Sequence, residues 1–266
     1  MDELVSLRPK LTRLKLSGIS ETLSSRISQA MGEKWSFTQF LEVLLSDEVE
    51  RRDFKQLGRR LTRSGLETDK TLETFDFRFN PRIHEPTIRE LSTCQFVTKH
   101  ENLFLLGPSG VGKSHLAQAL GHEACRKGRE VLYRRTSLLL AWVGAGRGDG
   151  SHPRRLKQIG SVELLILDDF GLTPLSEEQQ ADLYEIISDR YERTSTIITS
   201  NRDFAEWPAV FAKPLMGSAS MDRLVHRAVK IVIEGKSYRV DSFIKRSKRT
   251  FQPSGEGNKE KLKERS

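Results

Sequence analysis

The chain has 266 residues, a formal net charge of +8, 36% hydrophobic residues and 30% charged residues. This length suits one α/β domain with a smaller module, and no apolar run reaches the roughly 18 residues that a membrane-spanning helix needs. The start has no signal-peptide pattern, and the two distant cysteines, Cys94 and Cys125, disfavour a disulfide framework or a zinc site, so we expect a protein of the reducing cytoplasm.

Residues 1–67 are predicted to form a small all-helical domain. Leu4, Leu7 and Leu11 recur at helical spacing, and Ser36 is a candidate N-cap for a later helix. That helix continues into a cationic stretch that could contact DNA phosphates or form an ordinary solvated helix face. The candidate DNA-binding residues in this stretch are Arg51, Arg52, Lys55, Arg59 and Arg60.

A second domain is predicted over residues 68–246. Residues 68–86 have the pattern of an extended connection, and strand and helix signals then alternate along the chain. Strands are expected near residues 103, 130, 163, 195 and 229. Such alternation predicts an α/β fold with a parallel sheet covered by helices on both faces.

The turn after the first predicted strand carries the strongest functional motif. Residues 107–114 have the sequence Gly-Pro-Ser-Gly-Val-Gly-Lys-Ser, which matches the P-loop pattern between a strand and a helix. Glycines let backbone N–H groups face phosphates, Lys113 supplies a point charge, and the Ser114 hydroxyl is the expected Mg²⁺ ligand. We therefore predict ATP and Mg²⁺ as cofactors, with a nucleotide cradle formed by Gly107, Pro108, Ser109, Gly110, Val111, Gly112, Lys113, Ser114 and His115.

Two later strand ends should complete this site. Asp168 and Asp169 follow an apolar strand, and Asn201 ends the next strand. Because ligands of open parallel sheets bind beyond the carboxyl ends of the strands, we expect Asp168 to hold Mg²⁺ and Asp169 to orient or deprotonate the attacking water. Asn201 could contact both water and γ-phosphate. The carboxylates could instead bind backbone N–H groups, and asparagine also simply favours turns.

Arg223 lies on a predicted helix before the last strand. An arginine there could reach the γ-phosphate of a neighbouring subunit and neutralise charge that develops during phosphoryl transfer. The alternative is an intramolecular ion pair with an acid.

Together, the P-loop, Leu-Asp-Asp-Phe-Gly at residues 167–171, Thr-Ser-Asn at 199–201 and Asp-Arg-Leu at 222–224 resemble AAA+ initiators and helicase loaders. The strongest resemblance is to IstB-like transposition helper ATPases, relatives of the DnaC loader, and it covers about residues 8–244. It implies a P-loop AAA+ domain with a five-stranded parallel sheet, a small all-α N-terminal domain and no C-terminal helical lid.

The resemblance also implies a function. Proteins of this kind oligomerise on duplex DNA with ATP, as a ring or a helical filament, and recruit or stimulate a DDE transposase in the bacterial nucleoid. A DnaC-like helicase loader is the alternative within the same fold. A small-molecule P-loop kinase would need an acceptor pocket and lid arginines, and a protein that uses ATP only for assembly would show negligible turnover.

By position, the resemblance makes Lys113 and Ser114 the Walker A pair, Asp168 the metal carboxylate, Asn201 sensor one and Arg223 the arginine finger. Asp169 stands where the wider AAA+ group has glutamate, so hydrolysis is expected to be slow or stimulated by DNA or transposase. The adenine pocket is expected within residues 75–88, and the candidate replacements for a sensor-two arginine are Arg227 and Arg239.

Two further segments are candidates for DNA contact. The resemblance implies an inserted helix over residues 136–159 that faces DNA, although a solvated loop is the alternative. Its cations could bind phosphates without reading bases, and they are Arg147, Arg154, Arg155 and Lys157. Residues 245–266 carry 8 Lys and Arg against 3 acids, and residues 247–266 are predicted to be a basic disordered tail that strengthens DNA association at low salt.

Overall fold

The computed structural model describes residues 2–250, and three helices form its N-terminal module. They are α1 (Asp2–Arg13), α2 (Ser17–Glu33) and α3 (Phe37–Ser64). Ser36 begins α3 with a reciprocal capping box to Gln39, which confirms the N-cap prediction. The start of α2 is held by the buried carboxylate of Glu48 in α3, which accepts a hydrogen bond from the Gly18 N–H at 2.6 Å.

The main domain contains five parallel strands and the helices that connect them. In chain order the elements are α4 (Glu85–Leu91), α5 (Gln95–Thr98), β1 (Asn102–Leu106), α6 (Lys113–Arg126), β2 (Val131–Arg135), α7 (Thr136–Ala145), α8 (His152–Gly160), β3 (Leu164–Phe170), α9 (Glu177–Arg190), β4 (Ser195–Ser200), a 3₁₀ helix (Phe204–Val210), α10 (Pro214–Val225), β5 (Ala228–Val232) and α11 (Tyr238–Thr250). The strand order is β2-β3-β4-β1-β5. All neighbouring strands are parallel, so the predicted fold class is confirmed.

Alternate residues of the strands supply two apolar cores, one on each face of the sheet. Phe104 and Ile198 belong to the core under α7, α9 and Trp207. Leu103 and Ile197, their neighbours along the same strands, belong to the core under α6. This alternation is why the strands are apolar throughout and why helices cover both faces.

The connection between the two modules is packed against the main domain. Residues 65–84 form turns without helix or strand, and their first residues lie on α6. The Glu67 N–H donates to Gln118 Oε1 at 2.8 Å, and the Glu67 carbonyl lies 2.8 Å from His122 Nε2. The segment that we expected to be an extended connection therefore fixes α3 to the helix that begins at the P-loop.

A single helix, α11, follows β5 within the described part of the chain. It runs to Thr250, so it includes the first four residues of the tail that we expected to begin at Ser247. Residues 251–266, most of that predicted tail, lie outside the described residues. Between residues 2 and 250, no helix combines the length and the apolar character needed to cross a bilayer.

Candidate nucleotide site and surrounding surfaces

Lys113 is the first residue of α6, and its amine lies at the carboxyl edge of the sheet. The side chain is only 5% exposed and donates hydrogen bonds to the Pro108 carbonyl at 2.8 Å and to Asn201 Oδ1 at 2.7 Å. Burial lowers the pKa of this amine, while the nearby charges of Asp168 and Asp169 oppose that shift. The predicted Walker A lysine and the predicted sensor asparagine are thus in direct contact.

The P-loop lies between the segment before β1 and the start of α11. Gly112 has φ +105°, and a Cβ there would lie 2.9 Å from the ring of Phe75. Gly110 has φ +84°, and a Cβ there would lie 2.1 Å from Ser237 Oγ. Both positions need glycine for backbone conformation and for space. At the start of α6 the first amide groups have no intrahelical acceptor, so they are available to phosphate oxygens.

Phe75 brings the predicted adenine segment onto the P-loop. Its ring packs edge to face on His115, with centroids 5.1 Å apart, and on Phe77 at 4.8 Å. Asn80, farther along, donates from Nδ2 to the Glu234 carbonyl at 2.8 Å, which ties the segment to the turn after β5. The structure therefore places part of residues 75–88 beside the nucleotide cradle.

Asp168 is held by two hydroxyl groups. It is 3% exposed; Thr199 Oγ1 donates to its Oδ1, and the Tyr133 hydroxyl donates to its Oδ2 at 2.8 Å. Burial and the adjacent Asp168 charge raise the pKa of the Tyr133 phenol, so this hydroxyl stays a donor. The sequence did not predict that either residue would contact Asp168. Thr199 lies within the Thr-Ser-Asn motif but had no predicted role, and Tyr133 lies on another strand.

Strand register explains how Tyr133 reaches this carboxylate. Tyr133 pairs with Ile166 across β2 and β3, two residues before Asp168, so both side chains lie on the same face of the sheet. A sequence shows the period of a strand but not its neighbours. Only the observed β2-β3 pairing could have revealed the contact.

Asp169 turns out of β3 at a local irregularity. Its φ is +56°, and the register between β3 and β4 shifts between Leu167 and Phe170. Its N–H donates to Thr199 Oγ1 at 3.1 Å, so one hydroxyl fixes both acidic residues. Burial and the Asp168 charge raise the pKa of Asp169, while Arg135, Lys113 and Arg239 act in the opposite direction. This φ lies in the left-handed region, which aspartate adopts more readily than most non-glycine residues.

The residues present fit a magnesium ion. Asp168 and Ser114 offer oxygen ligands, which Mg²⁺ prefers. Across residues 2–250, no group of three or more His, Cys, Asp or Glu side chains could hold a metal. A cation held by Asp168 and Ser114 would take its remaining ligands from phosphate oxygens and water, as Mg²⁺ does in nucleotide sites.

Arg223 lies away from the nucleotide cradle of its own chain. Asn102 Nδ2, at the start of β1, donates to the Leu224 carbonyl at 3.0 Å, so this turn of α10 lies near the amino edge of the sheet. The Arg223 guanidinium lies 5.0 Å from the Tyr184 ring centroid and donates to the Ala219 carbonyl at 3.0 Å. No acid within the described chain pairs with Arg223, so the intramolecular ion pair is not found.

The two candidates for a sensor-two replacement occupy opposite edges of the sheet. Arg227 immediately precedes β5, at the amino edge, so it cannot contact nucleotide held by its own P-loop. Arg239 lies in α11, whose Tyr238 N–H donates to the Gly110 carbonyl at 2.9 Å. Its charge lowers the pKa of both Lys113 and Asp169. Arg239 is the candidate that the geometry favours.

Most of the candidate DNA-binding cations are already engaged within the protein. Ion pairs with acids involve Arg51, Arg52, Arg60, Arg147 and Arg155. Lys55 donates to Ser17 Oγ at 3.1 Å. Within residues 2–250, the candidates whose side chains have no hydrogen-bond or ion-pair partner are Arg59, Arg154 and Lys157, and all three are exposed.

Arg147 shows how a candidate cation can have a structural role. Its guanidinium binds both carboxylate oxygens of Asp182 in α9, at 2.9 and 2.5 Å. Asp182 is 2% exposed and also lies 2.8 Å from His152 Nε2. The carboxylate thereby fixes both ends of the glycine-rich loop between α7 and α8, which leaves Arg154 and Lys157 on the outer face of α8.

The chain is similar to known ATP-binding proteins. A family model described as "IstB-like ATP binding protein" matches residues 9–246. An insertion-sequence ATP-binding protein of Sinorhizobium fredii is 41% identical over 86% of this chain and 94% of its own length. An ATP-binding protein in an insertion sequence of Mycobacterium tuberculosis is 37% identical over 88% of this chain and 94% of its own length.

Solved structures with the same fold include replication proteins. The DnaC helicase loader superposes with a TM-score of 0.50 and 26% identity, over 56% of this chain and 86% of its own. AMPPCP-bound DnaA from Aquifex aeolicus gives a TM-score of 0.53 at 23% identity, over 72% of this chain and 58% of its own, and shows the fold alone. From the family match over residues 9–246 and the identity to insertion-sequence relatives, the chain belongs to the IstB-like ATP-binding protein family.

Proposed function

We propose that this protein is a Mg²⁺-dependent ATPase that assembles on duplex DNA and recruits or stimulates the transposase of its insertion sequence. The observation that carries the proposal is the cluster at the carboxyl edge of the sheet, where the Lys113 amine contacts Asn201 beside the two carboxylates. The ends of β1, β3 and β4 bring together the Lys113 amine, the two carboxylates and the Asn201 amide. This arrangement can bind a triphosphate and activate water.

Each residue has a distinct role in the proposed reaction. Lys113 exchanges its bonds to Pro108 and Asn201 for phosphate oxygens, which frees the Asn201 amide to contact the γ-phosphate or the attacking water. Asp168 and Ser114 would hold Mg²⁺, which supplies positive charge to the phosphates. Asp169, next to Asp168 at the end of β3, orients the attacking water and accepts its proton.

The position of Arg223 supports an oligomer. Arg223 lies near the amino edge of the sheet, whereas its own P-loop follows the carboxyl end of β1. A finger arginine there can act only on nucleotide held by another copy. The site is then completed between subunits in a ring or a helical filament, which would link hydrolysis to assembly.

The insertion-sequence relatives support a role in transposition, with duplex DNA and a DDE transposase as partners. Contact with DNA would fall to the exposed cations Arg59, Arg154 and Lys157, which suit phosphates rather than base edges. A helicase loader is the second candidate, favoured by the structural match to DnaC. Stimulation of turnover by the cognate transposase, and not by a replicative helicase, would distinguish the first from the second.

The central test is ATP turnover with and without duplex DNA. We expect DNA to stimulate hydrolysis and Asp169→Asn to reduce turnover by at least tenfold, on the order expected for loss of a general base, while ATP binding persists. Asp203→Asn, which removes an exposed carboxylate paired with Lys230, is the matched control. Unchanged turnover in Asp169→Asn would refute the role of this carboxylate.

A further inference from the structure

Helix α3 carries an exposed apolar stripe on the side that does not pack against α2. Phe37 is 94% exposed, Leu41 55%, Leu45 50% and Val49 56%, while Leu44, on the adjacent face toward α2, is buried. Spacing by four residues aligns these side chains along one face of the helix. A contiguous exposed apolar face of this kind marks an interaction surface.

The stripe and the residues beside it form an open, shallow surface on α3 alone, which we call the α3 groove. It is lined by Thr38, Leu41, Glu42, Leu45, Ser46, Val49 and Glu50. Its charged lining residues are both acids, Glu42 and Glu50. If two copies paired antiparallel through this face about Ser46, Glu42 of each would oppose Glu50 of the other. Like charges directly opposed are destabilising, so the groove does not complement itself.

Helix α11 has the complementary character. Val240 is 58% exposed and Ile244 is 45% exposed, again four residues apart. The sequence of α11, Tyr-Arg-Val-Asp-Ser-Phe-Ile-Lys-Arg-Ser-Lys-Arg-Thr, has five Lys or Arg against one acid, Asp241, which pairs with Lys245 at 2.7 Å. A basic helix with an apolar stripe suits an apolar groove flanked by glutamates.

The two surfaces also match in length. Helix α11 has 13 residues, which span about 20 Å at the usual helical rise. Residues 38–50 of α3 span about the same distance. Because the groove side chains are half-exposed within one protomer, the α11 of the same chain does not cover them.

We propose that α11 of one copy docks in the α3 groove of a second copy. This contact joins two different surfaces, so it is head-to-tail and repeats into a ring or a filament. The inference rests on the proposed function, in which the ATPase acts as an assembly. Since α11 begins with the Tyr238 bond to the Gly110 carbonyl, the docked helix would connect the P-loop of one copy to the N-terminal module of the next.

Cysteine cross-linking between two singly substituted chains tests this contact. Leu45→Cys and Ile244→Cys are mixed with duplex DNA and a nonhydrolysable ATP analogue, and a short bismaleimide is added. The native thiols Cys94 and Cys125 are buried, and burial raises the pKa of each to about 11, so they stay unreactive near pH 7. We expect a covalent dimer in the mixture and not with either chain alone. Thr62→Cys, exposed on α3 outside the groove, replaces Leu45→Cys as the control.

A second variant measures the effect on assembly. Leu45→Lys places a cation opposite the basic helix α11, which opposes docking. The position is half-exposed, so the chain should still fold and bind ATP. We expect assembly in the presence of ATP and DNA to require at least a tenfold higher protein concentration, measured by sedimentation velocity.

The outcomes separate this proposal from the proposed function. A dimer of Leu45→Cys with itself, or assembly of the mixed chains without the cross-link, would overturn the α11 contact and leave the ATPase assembly standing. Normal assembly of Leu45→Lys with loss of transposase stimulation would assign the groove to the transposase instead. Absence of any assembly in the unsubstituted chain would contradict the proposed function itself.

Discussion

Charged residues at the candidate nucleotide site and charged residues in the cationic segments differ in one respect. Position in the sequence predicts the contacts of the first group but not those of the second. At the edge, Lys113 and Asp168 lie where the P-loop and the strand end place them, with partners already in position. On the surfaces, Arg147 belongs to a cationic segment in sequence but binds Asp182 from another helix. The neighbouring chain segment determines the contacts of Lys113 and Asp168, whereas packing against a distant helix determines the contact of Arg147.

This difference separates buried polar groups from exposed ones. A buried charge must have hydrogen-bond partners, so the chain around Lys113 and Asp168 is built to supply them. An exposed cation is free to pair with any acid that the fold brings near, and the acid lies far away in sequence, as Glu130 does from Arg60. Removing single charges from each region should therefore give different kinds of defect.

The largest expected effect is on turnover in Arg223→Ala. If its guanidinium acts across a subunit interface, its loss should lower DNA-stimulated ATP turnover by about 10³-fold, the usual effect of losing an arginine finger. ATP binding to the isolated chain should not change. An equimolar mixture of Arg223→Ala with Lys113→Ala should regain part of the activity, because each chain supplies the group that the other lacks. Failure of this mixture to recover activity would argue for a role within one chain.

Next in size is the loss of ATP affinity in Lys113→Ala. Two charge-assisted hydrogen bonds to phosphate at about 1.5 kcal/mol each correspond to roughly 100-fold weaker binding. Isothermal titration calorimetry with Mg²⁺ and ATP measures this change. Lys230→Ala removes an exposed amine of the sheet and serves as the control. If Lys113→Ala bound ATP within a factor of two of the unsubstituted chain, Lys113 would not be a phosphate-binding residue.

The cationic surface is tested by comparing Arg154→Ala/Lys157→Ala with Arg147→Ala. The double variant should weaken duplex binding about tenfold and reduce the slope of log affinity against log salt by about two. Arg147→Ala should instead lower the melting temperature, because Asp182 loses its bidentate partner while remaining buried. If the slope of log affinity against log salt changed only in Arg147→Ala, Arg147 and not Arg154 or Lys157 would be the DNA-contacting residue.

The smallest expected effect is in Tyr133→Phe. Loss of the hydroxyl frees Asp168 Oδ2, so the Mg²⁺ concentration that gives half-maximal turnover should shift severalfold, with a smaller change in maximal turnover. Tyr191→Phe, which removes a hydroxyl near His226 on the surface, is the control. Equal Mg²⁺ dependence in both variants would show that the Tyr133 contact has no influence on the metal site.

Sequence predicted the elements and the motif residues because their information is local. Ser36 and Gln39, three residues apart, form the capping box that begins α3, and the P-loop is a continuous segment. The order of the strands is not local, and it alone brings Tyr133 to Asp168. The same applies to Arg227 and Arg239. The sequence makes both candidates for the sensor-two role, and only their positions at opposite edges of the sheet distinguish them.

Helix α3 is continuous over 28 residues, from the exposed Phe37 to Ser64 at the main domain. At the usual rise it is about 42 Å long, so a rotation of about 10° at its base would move its far end by about 7 Å. The base is tied through Glu67 to Gln118 and His122 of α6, the helix that starts at Lys113. Small displacements at the phosphate-binding end of α6 would therefore be magnified into ångström-scale travel at the tip of the N-terminal module.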